Sequence, residues 1–311
     1  MGNTVIKATS ADIKKMMDHY QRYLSEKVPP GGVFAAKTPS CAITAYKSGK
    51  VLFQGKDGEI EAAKWGDASL SQSKPKTDKR PSGSHLPTNF ASMSVIGSDE
   101  VGTGDFFGPI TVVAAYVKKE DIELLKELGV QDSKNLKDDK IIEIAKQLVK
   151  FVPYSLLTLH NPKYNKMQGS GMSQGKLKAL LHNQAIQHVL DKIAPEKPEA
   201  ILIDQFAKEE IYYNYLKTQR NIVRENVYFS TKGESVHLAV AAASMIARYA
   251  FVKHFEQLSE KAGFTLPKGA GAQVDQAAAR LINRKGADCL PEFVKLHFAN
   301  TEKAMKLAKR G

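Results

Sequence analysis

At 311 residues, with 42% hydrophobic and 25% charged residues, the chain has room for two domains with their own cores and is too apolar to be disordered or fibrous. Its apolar runs, such as 110–117, are too short to span a bilayer, no basic segment with a long apolar run opens the chain, and two cysteines allow at most one disulfide, so a cytoplasmic protein without a membrane partner is expected. The excess of 45 Lys and Arg over 33 Asp and Glu, a formal +12, favours a polyanionic partner, although a basic soluble enzyme would show it too.

In chain order, Thr4–Ala8 reads as a short strand. Ser10 reads as the cap of a helix in which Ile13, Met16, Met17, Tyr20 and Leu24 recur at helical spacing until Pro29-Pro30-Gly31-Gly32 stops it. The two methionines and Tyr20 belong to its core face. Strands over 33–37, 41–47 and 51–54 follow, the last two joined at Ser48-Gly49, and a short helix over 59–65 completes a small α+β module. The stretch 66–91 is rich in Ser, Pro, Gly and Lys and has no period, which makes it a linker. The domain boundaries expected are therefore 1–65, 66–92 and 93–311.

Beyond the linker, 94–98 and 110–117 read as apolar strands, followed by helices near 121–128 and 138–150. A strand over 154–159, a long helix over 174–193, buried-type strands at 200–203 and 227–230, and an Ala-rich helix over 236–258 come next. Helical pieces over 275–283 and 291–297 close the chain. That order predicts an α/β domain with a mixed sheet flanked by helices.

Acidic residues stand at three of the predicted strand ends. Asp99 and Glu100 follow Val95-Ile96, Asp204 follows Ile201-Leu202-Ile203, and Glu234 follows the strand 227–230. If those strands are neighbours, the four carboxylates converge on a cluster of oxygen ligands suited to Mg²⁺ or Mn²⁺ and not to zinc, for which no Cys/His set is spaced. Taken singly, each acid is as readily a helix cap or a loop residue.

The segments DEVGTGDFFGP, QDSKNL, LIDQF and STKGES followed by HLAVAAASMIAR resemble the signature segments of type 2 ribonucleases H, and the likeness runs through most of 93–311. Thr103 between two glycines, Glu234 after Lys232-Gly233, and the preceding small basic domain resemble the HIII type. The HII type usually carries a basic residue between those glycines and an Asp in the last motif. The resemblance implies a ribonuclease H-like fold and two-metal-ion hydrolysis of the RNA strand of RNA/DNA hybrids, leaving 5′-phosphate and 3′-hydroxyl ends. It matches Asp99, Glu100, Asp204 and Glu234 to the catalytic, metal-holding acids. By analogy Asp99 bridges both ions, Glu100 and Asp204 serve the leaving-group side, and Glu234 the nucleophile side.

Substrate contacts are expected from Gly102, Thr103 and Gly104, whose backbone can approach the RNA strand closely, and from Ser133 and Lys134 on phosphate. An ordinary turn at the glycines and a helix cap at Asp132 are the plainer readings. The resemblance also likens the first 65 residues to a TATA-box-binding-protein repeat. Lys47 and Lys50, with Lys37, Tyr46 and Lys56, fall on or near its predicted hairpin as substrate-binding candidates, though a solvated basic surface suffices for any one lysine. His237 and Arg248 lie on the helix after Glu234, where a lone His is more often structural. The chain is expected to act as a monomer. Rival readings are an HII-like enzyme cutting at single ribonucleotides in duplex DNA, a non-catalytic hybrid-binding protein, and another nuclease or transposase of the same fold.

Overall fold

The computed structural model describes residues 2–26, 28, 32–47, 49–65, 86–131 and 136–309. The linker residues 66–85 and the segment containing Asp132, Ser133 and Lys134 lie outside them. The chain forms two compact units, residues 1–80 and 81–311.

The first unit is an antiparallel sheet with two helices. Strands β1 (Gly2–Lys7), β2 (Gly32–Lys37), β3 (Cys41–Tyr46) and β4 (Lys50–Gly55) lie in the order β1-β4-β3-β2. Helices α1 (Ser10–His19) and α2 (Gly58–Ala63) bring Ile13, Met16, Tyr20 and Ala62 onto the buried side of Phe34, Ile43, Val51 and Phe53. The cap of α1 is Thr9, not Ser10. Thr9 Oγ1 accepts from the Asp12 backbone N–H at 3.2 Å and the Thr9 backbone N–H donates to the Asp12 carboxylate at 3.3 Å, a reciprocal box that Ser10 is one residue too late to make. The helix also stops sooner than its periodicity suggests. Tyr20 turns its hydroxyl to donate to Glu61 at 2.8 Å, and Leu24 pairs with Ala36 on the otherwise open edge of β2.

The second unit is a five-stranded mixed sheet between two helical layers. Strands β5 (Val95–Val101), β6 (Ile110–Val117), β7 (Tyr154–Leu159), β8 (Ala200–Asp204) and β9 (Val227–Ser230) lie in the order β7-β6-β5-β8-β9. The pairs β5/β6 and β6/β7 are antiparallel, whereas β5/β8 and β8/β9 are parallel. On one face α3 (Ile122–Glu127), α4 (Asp138–Phe151) and α8 (Leu238–Ala262) cover Val95, Val113 and Leu202. On the other, α6 (Gln174–Ile193) and α7 (Glu209–Leu216) cover Ile96, Ile203 and Phe229. The Ala run of α8 lets it lie almost on the sheet: a Cβ on Gly97 would stand 2.2 Å from the Ala239 carbonyl carbon, so only glycine fits there.

Helices α5 (Asn161–Gly169), α9 (Ala272–Lys285), α10 (Leu290–Phe293) and α11 (Asn300–Ala308) complete the chain, the last three around Phe106, Phe107 and Phe251. The predicted helix over 291–297 is cut to a single turn. Val294 instead pairs with Phe107 as an isolated antiparallel bridge, which ties the C-terminal segment to the turn after β5. Among the described residues no helix is long and apolar enough to cross a membrane.

Candidate active site

The predicted acids meet because their strands are neighbours. β5, β8 and β9 are consecutive and parallel, so their C-terminal ends share one rim of the sheet, where α/β folds bind ligands. Asp99 and Glu100 are not beyond β5, as the sequence suggested, but inside it. They still pair with Val113 and Val112 of β6, while the pairing to β8 ends at Ser98 opposite Ile203. On the β8 side the strand has therefore already parted, and Asp99 faces the gap into which Asp204 ends. Glu234 arrives from a single 3₁₀ turn (Gly233–Ser235) entered through Lys232, a non-glycine residue at φ 62. That left-handed turn costs of order 1 kcal/mol and is held by the Gly233 N–H, which donates to Asp204 Oδ1 at 2.7 Å.

All four acids line one pocket of about 510 Å³, together with Gly102, Thr103, Gly104 and Asp105 on one side and Asp138, Ser244 and Arg248 on another. Asp99 is 6% exposed and Glu234 7%. Burial, then the negative charge of Asp204 and Glu100, pushes the Asp99 carboxyl well above the ordinary carboxylate range. A hydrogen bond from Ser244 opposes this, and Glu234 adds to it.

Glu100 has the contrary surroundings. Its Oε1 accepts from Lys178 Nζ at 2.9 Å and its Oε2 lies 2.8 Å from His182 Nε2, both on α6. Burial raises its pKa, but His182 and Lys178 outweigh burial and hold it below the usual range. His182 is fully buried and its Nδ1 lies 2.7 Å from Ser98 Oγ, so the strand residue two before Glu100 fixes the ring that fixes Glu100. Lys178 also lies over the Phe206 ring at 4.3 Å. Sequence reasoning missed Ser98, Lys178, His182 and Ser244. The available signal was spacing: Ser98 and Glu100 are two apart on a strand, Lys178 and His182 four apart on a helix, each pair on one face.

The glycine loop is built to stay put. Gly102 has φ +97, and a Cβ there would lie 2.3 Å from the Pro109 carbonyl oxygen, so its glycine is a demand of the turn. Gly104 faces open space with no neighbour within 4 Å. The Thr103 carbonyl accepts from Gln174 Nε2 at 3.1 Å, and the buried Lys295 ammonium donates to the carbonyls of Asp105 and Gly108 at 2.7 and 2.6 Å.

His237 is structural. Its Nδ1 accepts from the Ala239 N–H at 3.0 Å and caps α8, while Nε2 lies 3.1 Å from the Met93 carbonyl. Lys47 and Lys50 are in the first unit, bracketing the β3–β4 turn, with Lys37 at the end of β2.

The donor set fits a hard divalent cation. Four carboxylates line one pocket with no thiolate among them, and burial and the neighbouring carboxylates oppose the charged form of Asp99, a penalty that a bound cation would offset. Among the described residues no three acidic, His or Cys side chains already form a finished cage.

A family described as Ribonuclease HII matches residues 96–301, and one described only as a domain of unknown function matches residues 3–79. Ribonuclease HIII of Bacillus mycoides (strain KBAB4) is 60% identical over 314 residues, covering 100% of both chains. That of Bacillus cereus (strain ATCC 10987 / NRS 248) is 60% identical and covers 99% of this chain and 100% of its own. Among solved structures, Bst-RNase HIII in complex with Mn²⁺ is 50% identical, with a TM-score of 0.74 and full coverage of both chains. Aquifex aeolicus RNase H3 shares the fold at 21% identity and TM-score 0.54, covering 94% of this chain and 98% of its own.

Proposed function

The chain belongs to the ribonuclease HIII family, and on that premise we propose that Asp99, Glu100, Asp204 and Glu234 are the residues with which it hydrolyses RNA. It is an endoribonuclease acting on the RNA strand of RNA/DNA hybrids, dependent on Mg²⁺ or Mn²⁺. One observation carries the residue assignment: Asp99 is buried under the charge of three other carboxylates in a pocket whose rim is the Gly102-Thr103-Gly104 loop.

The four acids would hold two divalent ions. Bound there, such ions lower the pKa of a coordinated water and stabilise negative charge on the departing 3′-oxygen. The protein's part is placement. Ser244 orients Asp99, Lys178 and His182 orient Glu100, and the Gly233 N–H orients Asp204. Each carboxylate oxygen has two lone-pair directions, so the α6 contacts leave Glu100 one on each oxygen. Asp99 would help to hold both ions, Glu100 and Asp204 the one that supports the leaving group, and Glu234 the one that supports the attacking water. The products are 5′-phosphate and 3′-hydroxyl ends.

The open space at Gly104 supports close approach of an RNA backbone, whose 2′-hydroxyl separates it from DNA. Ser133 and Lys134 add phosphate contacts in this reading. The first unit, through Lys47 and Lys50, grips the hybrid, with residues 66–92 as the linker in this reading. The enzyme works as a monomer in the cytoplasm.

The deciding experiment offers two substrates in parallel, a long RNA/DNA hybrid and a DNA duplex with one ribonucleotide. Faster cutting of the hybrid supports the HIII reading. Preference for the lone ribonucleotide would assign an HII-like activity instead.

A further inference from the structure

The pocket poses an electrostatic problem for its own substrate. Among the described residues, six carboxylates line it, those of Asp99, Glu100, Asp105, Asp138, Asp204 and Glu234, against one guanidinium, that of Arg248. A phosphodiester entering such a site is repelled unless cations receive it. Arg248 is at hand, and so is Lys268, but both are held by one carboxylate. Arg248 Nε donates to Asp138 Oδ1 at 2.9 Å, its Nη2 reaches Oδ2 at 3.4 Å, and Lys268 Nζ donates to Oδ2 at 2.5 Å.

The position is as telling as the charge. Arg248 lies four residues after Ser244 on α8, one helical turn or roughly 6 Å along the same face. Ser244 hydrogen-bonds Asp99. A group bound by Arg248 is therefore held on the wall of the pocket that also carries the partner of Asp99. Lys268 precedes Gly269, whose N–H donates to Asp105 Oδ1 at 2.6 Å, so it is tied to the glycine loop on the opposite rim. The three side chains are 30–35% exposed, within reach of an incoming strand.

We propose that Arg248 and Lys268 form an anchor for a backbone phosphate of the RNA strand next to the one cleaved, and that Asp138 is a built-in competitor which occupies the anchor until that phosphate displaces it. Two of Arg248's five N–H groups and one of Lys268's three are engaged by Asp138, so the cations do not need to be rebuilt, only exchanged from carboxylate to phosphate. Burial works against charge on Asp138, but the two cations outweigh it and keep it ionised as a competitor. The anchor rests on the ribonuclease reading of the pocket.

The test is equilibrium binding of a fluorescent RNA/DNA hybrid to the full-length chain in chelator, where no cleavage occurs, at several salt concentrations. Asp138→Asn should bind about threefold or more tightly than wild type. Lys268→Gln and Arg248→Gln should bind more weakly, each with the log–log salt slope shallower by about one, and Lys268→Arg should restore affinity. Asp138→Asn binding no tighter than wild type would overturn the proposal. So would an unchanged salt slope in Lys268→Gln, an exposed change that leaves the core intact. A wild-type chain that binds in this pattern yet cuts nothing with either Mg²⁺ or Mn²⁺ would refute the ribonuclease reading and leave the anchor standing.

Discussion

Asp99 and Glu100 are consecutive on β5, yet their carboxylates face opposite sides of the sheet, Asp99 toward Ser244 of α8 and Glu100 toward Lys178 and His182 of α6. Strand alternation makes this unavoidable. Charge is opposed on Asp99 and supported by cationic partners on Glu100, so the adjacent pair divides into an acid that a cation would relieve and a ligand whose direction the protein fixes.

The charge on Asp99 is a cost to the metal-free fold, because burial and three carboxylates oppose it. Asp99→Asn should therefore raise the unfolding midpoint in chelator, by about 2–4 °C for each ~1 kcal/mol relieved, while abolishing the stabilisation that Mn²⁺ gives the wild type. Thermal melts with and without Mn²⁺ check both halves. A lower midpoint in chelator would mean that Asp99 is not repelled as described.

His182 should matter to metal binding without touching metal. Partners that orient a ligand typically change affinity by about 10–100-fold, so His182→Ala should weaken Mn²⁺ binding on that scale in a calorimetric titration without nucleic acid. Lys178→Met should weaken it less, since it removes a competing cation along with an orienting contact. Equal affinity in wild type and His182→Ala would show that Glu100 needs no help from α6.

His237 sets a pH dependence. Burial, against the hydrogen bond to Met93, lowers its pKa from 6.5 to about 4. Between those values the unfolded chain takes up a proton that the folded chain refuses. Stability from this group is thus full above pH 6.5 and declines as pH falls toward 4. From pH 7 to pH 5 the loss is about 2 kcal/mol. His237→Asn keeps a side-chain acceptor for the Ala239 N–H but cannot titrate, so urea midpoints at the two pH values should converge relative to wild type. An undiminished drop in the variant would place the pH dependence elsewhere.

The two units predict a separation of roles. Removing residues 1–80 should weaken hybrid binding far more than it lowers kcat at saturating substrate. If KM is unmoved and kcat falls, the first unit does something other than hold the hybrid.

The mixed sheet and the 20-residue helix 174–193 were legible because each rests on local pattern, apolar runs and helical period, whereas the four acids were only carboxylates placed after strands until the resemblance singled them out. What was hidden depends on contacts far apart in sequence. The end of α1 is decided by Tyr20 meeting Glu61, and the shortening of the last predicted helix by Val294 meeting Phe107. Lys178 and His182 read as ordinary helix residues until β5 is placed beneath them. Asp138 reads as a first-turn acid until Arg248 and Lys268, more than a hundred residues later, close on it.

Metal-dependent cleavage of the RNA strand is proposed to rest on the four acids at and just beyond the ends of β5, β8 and β9. The most direct test is cleavage of a long RNA/DNA hybrid by wild type and by Asp99→Asn, each with Mn²⁺ and with chelator. Cleavage is expected from wild type with Mn²⁺ and not with chelator, with a loss of at least about 1,000-fold in the variant. Comparable cleavage by Asp99→Asn, or cleavage that survives chelation, would contradict it.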